Sequence, residues 1–160
     1  MKTNAARILD ALGVKYELRD YDPGDEHLTA EEVAQRVSLP PEEVYKTLVV
    51  RGDKHGVAIA VIAASSELDP KALAKLTGDR KIEPVALKEV TPLTGYVRGG
   101  VTALACKKDY PVWVDEMMTL HERVAVSAGV RGTQIVLAPE DYLRATKGRT
   151  GDIARDARDR

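Results

Sequence analysis

Four short stretches hold the residues that could do chemistry. Lys46 interrupts an otherwise apolar run, "VYKTLVV", at 44–50. Strand alternation puts Val44, Lys46, Leu48 and Val50 on one face, and Tyr45, Thr47, Val49 and Arg51 on the other. The ammonium therefore belongs to the more apolar face. A lysine opening a strand ordinarily snorkels back to water. A partly buried one serves a site, where burial lowers its pKa or an anion holds it. "RGGV" at 98–101 sets two glycines beside an arginine, and "SAGVRG" at 127–132 adds a hydroxyl to the same theme. Glycines let backbone N–H groups approach a ligand closely, and such nests favour anions or a developing oxyanion. Each stretch alone also reads as an ordinary turn. "CKKD" at 106–109 contributes Lys107 and Lys108. Lys46, Arg98, Lys107, Lys108 and Arg131 are thus candidates to line one anionic pocket.

Other chemistries find less support. His27, His55 and His121 stand far apart, and the single cysteine, Cys106, has no second cysteine near it, so no metal-ligand spacing is present. Neither a metal nor a cofactor is expected. Cys106 beside two lysines reads either as an activated thiol or as a small core residue. No G-x-S-x-G, P-loop or G-x-G-x-x-G pattern occurs. Asp115 in "PVWVDE" reads as a group that orients a site residue or caps the next segment.

These residues need a scaffold. The chain has 160 residues, 44% hydrophobic and 31% charged, which suits one globular domain with a real core. Its formal charge of −1 lacks the basic footprint of a duplex-DNA binder, so any nucleic-acid contact should be local. One cysteine excludes an internal disulfide and fits a reducing compartment, so a cytoplasmic location is expected. The start is too polar for a signal peptide, and no apolar run approaches about 18 residues.

Helical patterns fall over "TNAARILDALG", capped by Thr3 or Asn4, and over "LTAEEVAQRVSLP", where Thr29 and Glu32 make a capping box. "DPKALAKLTG" adds Asp69 as cap, Pro70 in the first turn and Gly78 as stop. "ALKEVTPLTG" reads as a helical turn interrupted by Pro92. "KYELRDYD" alternates like a strand, and "VAIAVIAASSEL" reads as a central strand covered on both faces. "RVAVSAGVRGTQIVLAPEDYLRATKG" reads as strand, glycine loop, strand and short helix. Helices and strands mix without regular alternation, so the fold class is α+β around a mixed, curved sheet. Residues 1–148 are expected to form one domain, with 149–160 a frayed tail.

The order of "VYKTLVV", "GYVRGG", "KK" followed by "PVWVDE", and "VSAGVRGTQIVL" resembles the YbaK family. These are free-standing aminoacyl-tRNA deacylases related to the editing domain of bacterial prolyl-tRNA synthetases. The similarity runs from about Ala5 to Lys147. The resemblance implies an α+β domain with a barrel-like sheet that releases a mischarged amino acid from the 3′ end of tRNA. Cysteine on tRNA for proline is the leading substrate; another small amino acid such as alanine, or a non-catalytic tRNA-end or synthetase-binding module, is the alternative. Implied partners are the acceptor end of aminoacyl-tRNA and, in a tRNA complex, prolyl-tRNA synthetase, with neither membrane nor DNA.

By the same resemblance Lys46 is the site lysine, with Thr47 beside it. Gly99 and Gly100 face the substrate ester, Tyr21 is an aromatic lining position, and Ser127 and Gly129 form a second loop. Two departures stand out. The family loop Gly-Gly-x-Ser-Pro-x-Gly reads "GGVTALA" here, so Thr102 keeps a hydroxyl while Ala103 and Ala105 replace proline and glycine. Some members carry aspartate where this chain has Gln134.

Overall fold

A computed structural model describes residues 2–156. Five α-helices surround three sheets: α1 (Asn4–Ala11), α2 (Ala30–Arg36), α3 (Pro70–Thr77), α4 (Leu87–Thr94) and α5 (Pro139–Thr146). The largest sheet is mixed and runs in the order β5 (Ile82–Pro84), β2 (Tyr45–Gly52), β3 (Gly56–Ala63), β6 (Val112–Asp115), β9 (Arg149–Gly151). A three-stranded antiparallel sheet joins β1 (Tyr16–Asp20), β8 (Thr133–Leu137) and β7 (Val124–Ser127). A two-stranded sheet pairs β4 (Ser66–Leu68) with β10 (Ala154–Asp156). The two larger sheets meet at a parallel bridge between Val44 and Ala125. The α+β class and the mixed sheet are as expected, although among the described residues the strands form separate sheets rather than one closed barrel.

Local signals explain the elements. Thr29 Oγ1 accepts from Glu32 N–H at 3.1 Å while Thr29 N–H donates to Glu32 Oε1 at 3.0 Å, so the capping box forms in full. Asp69 caps α3, and Gly78 ends it in the left-handed region at φ +83°. β3 is buried from Ala58 to Ile62 because both its faces carry apolar residues and both its edges are paired. Its odd residues, Ile59 and Val61, join the larger core with Tyr45, Val49 and Tyr142; its even residues, Ala58, Ala60 and Ile62, join a second core with Val50 and Leu73.

Three expectations need correction or resolution. Pro92 lies inside α4 rather than breaking it. It removes one helical bond, to the carbonyl of Lys88, and Lys88 is an exposed residue. Asp115 holds structure: it caps the following 3-10 turn through Met117 N–H (3.3 Å) and accepts from Ile153 N–H (3.2 Å). Third, residues 149–156 do not fray. β9 pairs with β6, β10 pairs with β4, and Ile153 between them is fully buried. The sequence concealed this because one isoleucine among charged residues carries no periodicity; residues 157–160 lie outside the described part.

This anchoring is measurable. Ile153→Ala is expected to destabilise by about 2–5 kcal/mol, as for other buried aliphatic truncations. Chemical denaturation should show a lowered midpoint with an unchanged slope; a loose segment would show no shift.

Candidate active site

A cavity of about 300 Å³ opens along one edge of β2. β2 pairs with β3 along its whole length but with β5 only from Val50 to Gly52. Beyond that point α4, the 98–101 loop, α2 with the loop before it, and the ends of β7 and β8 enclose the gap. Its walls include Val33, Val44, Leu87, Val90 and Val101, with Lys46, Thr47, Arg98, Gly99, Ser127 and Gln134 as polar members. The volume lies at the lower end of small-molecule sites, about 300–1,000 Å³. It suits a small acyl group and part of a sugar better than a whole nucleotide.

Lys46 is half-buried, and its ammonium has one protein contact, the Ala64 carbonyl at 3.5 Å. Burial pulls its pKa below the ordinary lysine value, and Glu31 opposes this only in part. Thr47 presents more than its side chain. Val49 C=O accepts from Val85 on the β5 side, while Val44 C=O accepts from Ala64 on the β3 side. Strand alternation therefore turns the backbone N–H and C=O of Thr47 toward the unpaired edge. Its hydroxyl is buried near that of Tyr142 without a hydrogen-bond partner of good geometry.

In the two glycine loops, two backbone N–H groups already have partners. Gly100 N–H donates to Val97 C=O at 2.9 Å, and Gly129 N–H donates to Ser127 Oγ at 3.2 Å. Neither is left for an oxyanion. Gly99, at φ +87°, does line the cavity. Gly100 instead lies behind the wall, where a Cβ would stand 3.1 Å from the Cα of Val130. Gly129 accommodates Tyr96, whose ring would meet an added Cβ at 2.9 Å. The Tyr96 hydroxyl donates to Leu104 and Ala105 carbonyls, tying down the chain that follows. Ala105 adopts φ +55°, which explains why the resembled family has glycine there.

The remaining candidates are not brought to the cavity wall. Tyr21 packs against the core formed by Ala34, Val37, Val44 and Val136. Thr102 is fully buried, and Lys107 and Lys108 are exposed outside the cavity. Cys106 donates its Sγ–H to Thr102 C=O, and burial pushes its thiol up to about 11, so it behaves as a packing residue. Arg131 is a clamp: its guanidinium donates to the carbonyls of Pro23 (3.1 Å), Gly24 (3.4 Å) and Glu26 (2.8 Å). Its stem covers Gly99, where an added Cβ would lie 3.1 Å from Arg131 Cγ. One residue thus joins two walls of the cavity. His27 and Gln134 line it as well. No spacing signal marks His27 in the sequence, and Gln134 stands out there only as a departure. Among the described residues no three His, Cys, Asp or Glu side chains cluster to hold a metal ion.

Fold and cavity together define a small α+β protein with a cation in a mostly apolar pocket. The chain belongs to the aminoacyl-tRNA editing domain family, whose pattern it matches over residues 25–145. That family's activity is deacylation of aminoacyl-tRNA. A relative from Enterococcus faecalis, EbsC, named as a candidate Cys-tRNA(Pro)/Cys-tRNA(Cys) deacylase, is 40% identical over 95% of this chain and 93% of its own length. The fold is shared with the crystal structure of a hypothetical protein, APE2540 (TM-score 0.86, 24% identity, covering 96% of this chain and 100% of that one). It is shared also with a crystal structure described as a candidate trans-editing enzyme for prolyl-tRNA synthetase (TM-score 0.81, 24% identity, 97% and 99%). No helix among the described residues is long and apolar enough to cross a membrane.

The Arg131 clamp separates two roles. A phosphate contact should survive replacement by lysine, whereas three carbonyls gathered on the terminal Nη2, beyond the reach of the shorter lysine, should not. Arg131→Lys is expected to lose activity as fully as Arg131→Ala, with faster amide exchange across residues 23–28 in both. Activity near wild type in Arg131→Lys alone would restore the phosphate role.

Proposed function

We propose that the protein is a trans-acting deacylase that clears mischarged amino acids from the 3′ end of tRNA, with cysteine on tRNA for proline as its leading substrate. The observation that carries this is Lys46: an ammonium in a cavity, with one long carbonyl contact and no lining carboxylate to neutralise it. A half-buried cation left in this way is open to an oxygen of the ligand. The relative from Enterococcus supports the choice of cysteine.

In this reading the acyl group enters between Lys46 and Gly99, and Lys46 remains charged. It anchors a ribose or carbonyl oxygen as negative charge builds there. The N–H of Thr47, turned to the open edge of β2, is a backbone donor for the same oxygen. The nucleophile is the substrate's own thiol: sulfur attacks the ester carbonyl, the carbonyl–ribose bond breaks, and the ribose oxygen takes up the thiol proton. A small sulfur-containing ring leaves. Cys106, outside the cavity, plays no part. Arg98 at the mouth, with exposed Lys107 and Lys108 beyond it, serves the phosphates of the acceptor end. Prolyl-tRNA synthetase, engaged through the same tRNA, is the proposed partner; a chain of net charge −1 has few cations with which to hold tRNA alone.

A panel of aminoacyl-tRNAs tests the reading. Cysteinyl-tRNA for proline should be cleaved fastest. If alanyl-tRNA for proline is cleaved much faster than any cysteinyl-tRNA, the cysteine assignment is lost and the editing class stands.

The role of Lys46 shows in pH dependence. The ammonium is present below its lowered pKa and is lost as pH rises through it. Activity should therefore fall on the alkaline side, earlier than an ordinary lysine of about 10.4 would dictate. Lys46→Ala should cost about 100-fold or more. Lys46→Arg, always charged, should move the alkaline fall to higher pH in whatever activity it retains. A rate that instead climbs with pH through a limb absent from Lys46→Arg would make the lysine a base.

A further inference from the structure

The cavity contains a second polar group with no use inside the protein. Gln134 is only 6% exposed, it lines the cavity, and its Oε1 has no hydrogen-bond partner. A buried amide oxygen left unpaired costs free energy, so its persistence points to a donor supplied from outside. Its position is firmly set. β8 lies between β1 and β7, with Gln134 opposite Arg19 on one side and Ser127 on the other. Two residues on, Val136 is buried against Val44 and Ala125 at the bridge between the sheets.

The surrounding charges narrow the choice of donor. Lys46, Arg98 and His27 line the same cavity, and no aspartate or glutamate does. Arg19, beside Gln134 on β1, donates to Glu17 (2.9 Å) and to the Val37 carbonyl (2.9 Å). The carboxylates on α2, Glu31 and Glu32, act on Lys46 and His27 from outside the lining. Burial and the nearby Arg98 and Arg131 hold His27 toward its neutral form. A second cation entering here would face like charges with no lining carboxylate to offset them. A neutral N–H donor would meet a waiting acceptor.

We propose that Gln134 is the receptor for the substrate's α-amino group, and that the cavity takes this group in its neutral form. The proposal rests on the deacylase reading above. Of the groups the amino acid brings, the amine carries the N–H bonds that an amide oxygen accepts; the thiol donates weakly. The neutral form is accessible: α-amino groups ordinarily titrate near about 7.7–8.0, and the adjoining ester withdraws electrons and lowers this further. A carboxylate at position 134 would reverse the preference by pairing with the ammonium.

The test compares kcat/KM against pH for two substrates on the same tRNA: the cysteinyl ester and the 3-mercaptopropionyl ester, which keeps the thiol but has no amine. With wild-type protein the cysteinyl rate should fall as pH drops through the substrate's amine pKa, and the mercaptopropionyl rate should show no such limb. Gln134→Leu should lower kcat/KM for the cysteinyl ester about 10-fold or more, leaving the mercaptopropionyl ester little changed. Gln134→Glu, nearly isosteric, should flatten or invert the acid limb for the cysteinyl ester only. An acid limb shared by both substrates would belong to the common thiol or to an enzyme group, not to the amine, and would overturn the proposal. So would a Gln134→Leu loss equal for both, which marks a structural role. Turnover of cysteinyl-tRNA without the amine limb overturns this inference and leaves the deacylase reading intact; no turnover of any aminoacyl-tRNA overturns both.

Discussion

The site depends on a mismatch in strand length. β2 is held by β3 over all eight residues, but β5 reaches only its last three. An unpaired strand edge is ordinarily a liability that proteins cover or blunt. Here helices and loops cover it without filling it, and the gap becomes the cavity. The same mismatch exposes the backbone of Thr47 and brings Lys46 to the rim of an apolar enclosure. Rigidity comes from the other side, where the β2–β3 ladder separates two apolar cores. Lys46 is thus carried on a strand rather than a loop, and its position follows from sheet geometry.

The remaining walls are loops, and the segment Val130–Gly132 fixes two of them at once. Arg131 binds three carbonyls of the 23–26 loop and lays its stem over Gly99. The backbone of Val130 presses on Gly100, and Gly132 C=O accepts from Tyr21 N–H at 2.9 Å. Small residues are needed at 99 and 100 because another segment lies against them. Glycine there supports the shape of the wall, and the N–H of Gly100 is already bound to Val97 C=O.

Much of the scaffold was legible in the chain. Caps at Thr29 and Asp69, the stop at Gly78 and the apolar run of β3 are local signals, and local physics produced them. The three-stranded sheet was legible less directly: its strands alternate, but nothing local pairs β1 with β8 across more than a hundred residues. The tail escaped because its anchor is a single buried isoleucine. At the site, Lys46, Thr47, Arg98, Gly99 and Ser127 were readable as types in a pattern and do share the cavity. Arg131, Lys107 and Lys108 were chosen for charge alone, and charge says nothing about whether a guanidinium is already bound. For Arg131 the carbonyls that occupy it lie more than a hundred residues away. Gln134 shows the reverse: a residue of ordinary type becomes informative only when its burial and missing partner are seen.

The electrostatics of the cavity bear on how a proline-charged tRNA would be spared. The cavity has Lys46 and Arg98 in its lining and no carboxylate, so it would discriminate by the ionisation of what enters. Under the proposal for Gln134, the amine must arrive neutral. A cysteinyl ester has a primary amine whose basicity is lowered by both the ester and the nearby sulfur. A prolyl ester has a secondary, more basic amine, so at the same pH a smaller fraction is neutral. It also lacks the thiol that would attack its own carbonyl. Two chemical filters would then act in series, one on the amine at Gln134 and one on the nucleophile beside Lys46, and neither requires the cavity to distinguish two small side chains by shape. This matters physically because one methylene in an apolar pocket is worth only about 1–3 kcal/mol of discrimination. The same positive cavity that disfavours an ammonium favours a thiolate, so Lys46 would strengthen the second filter while Gln134 sets the first.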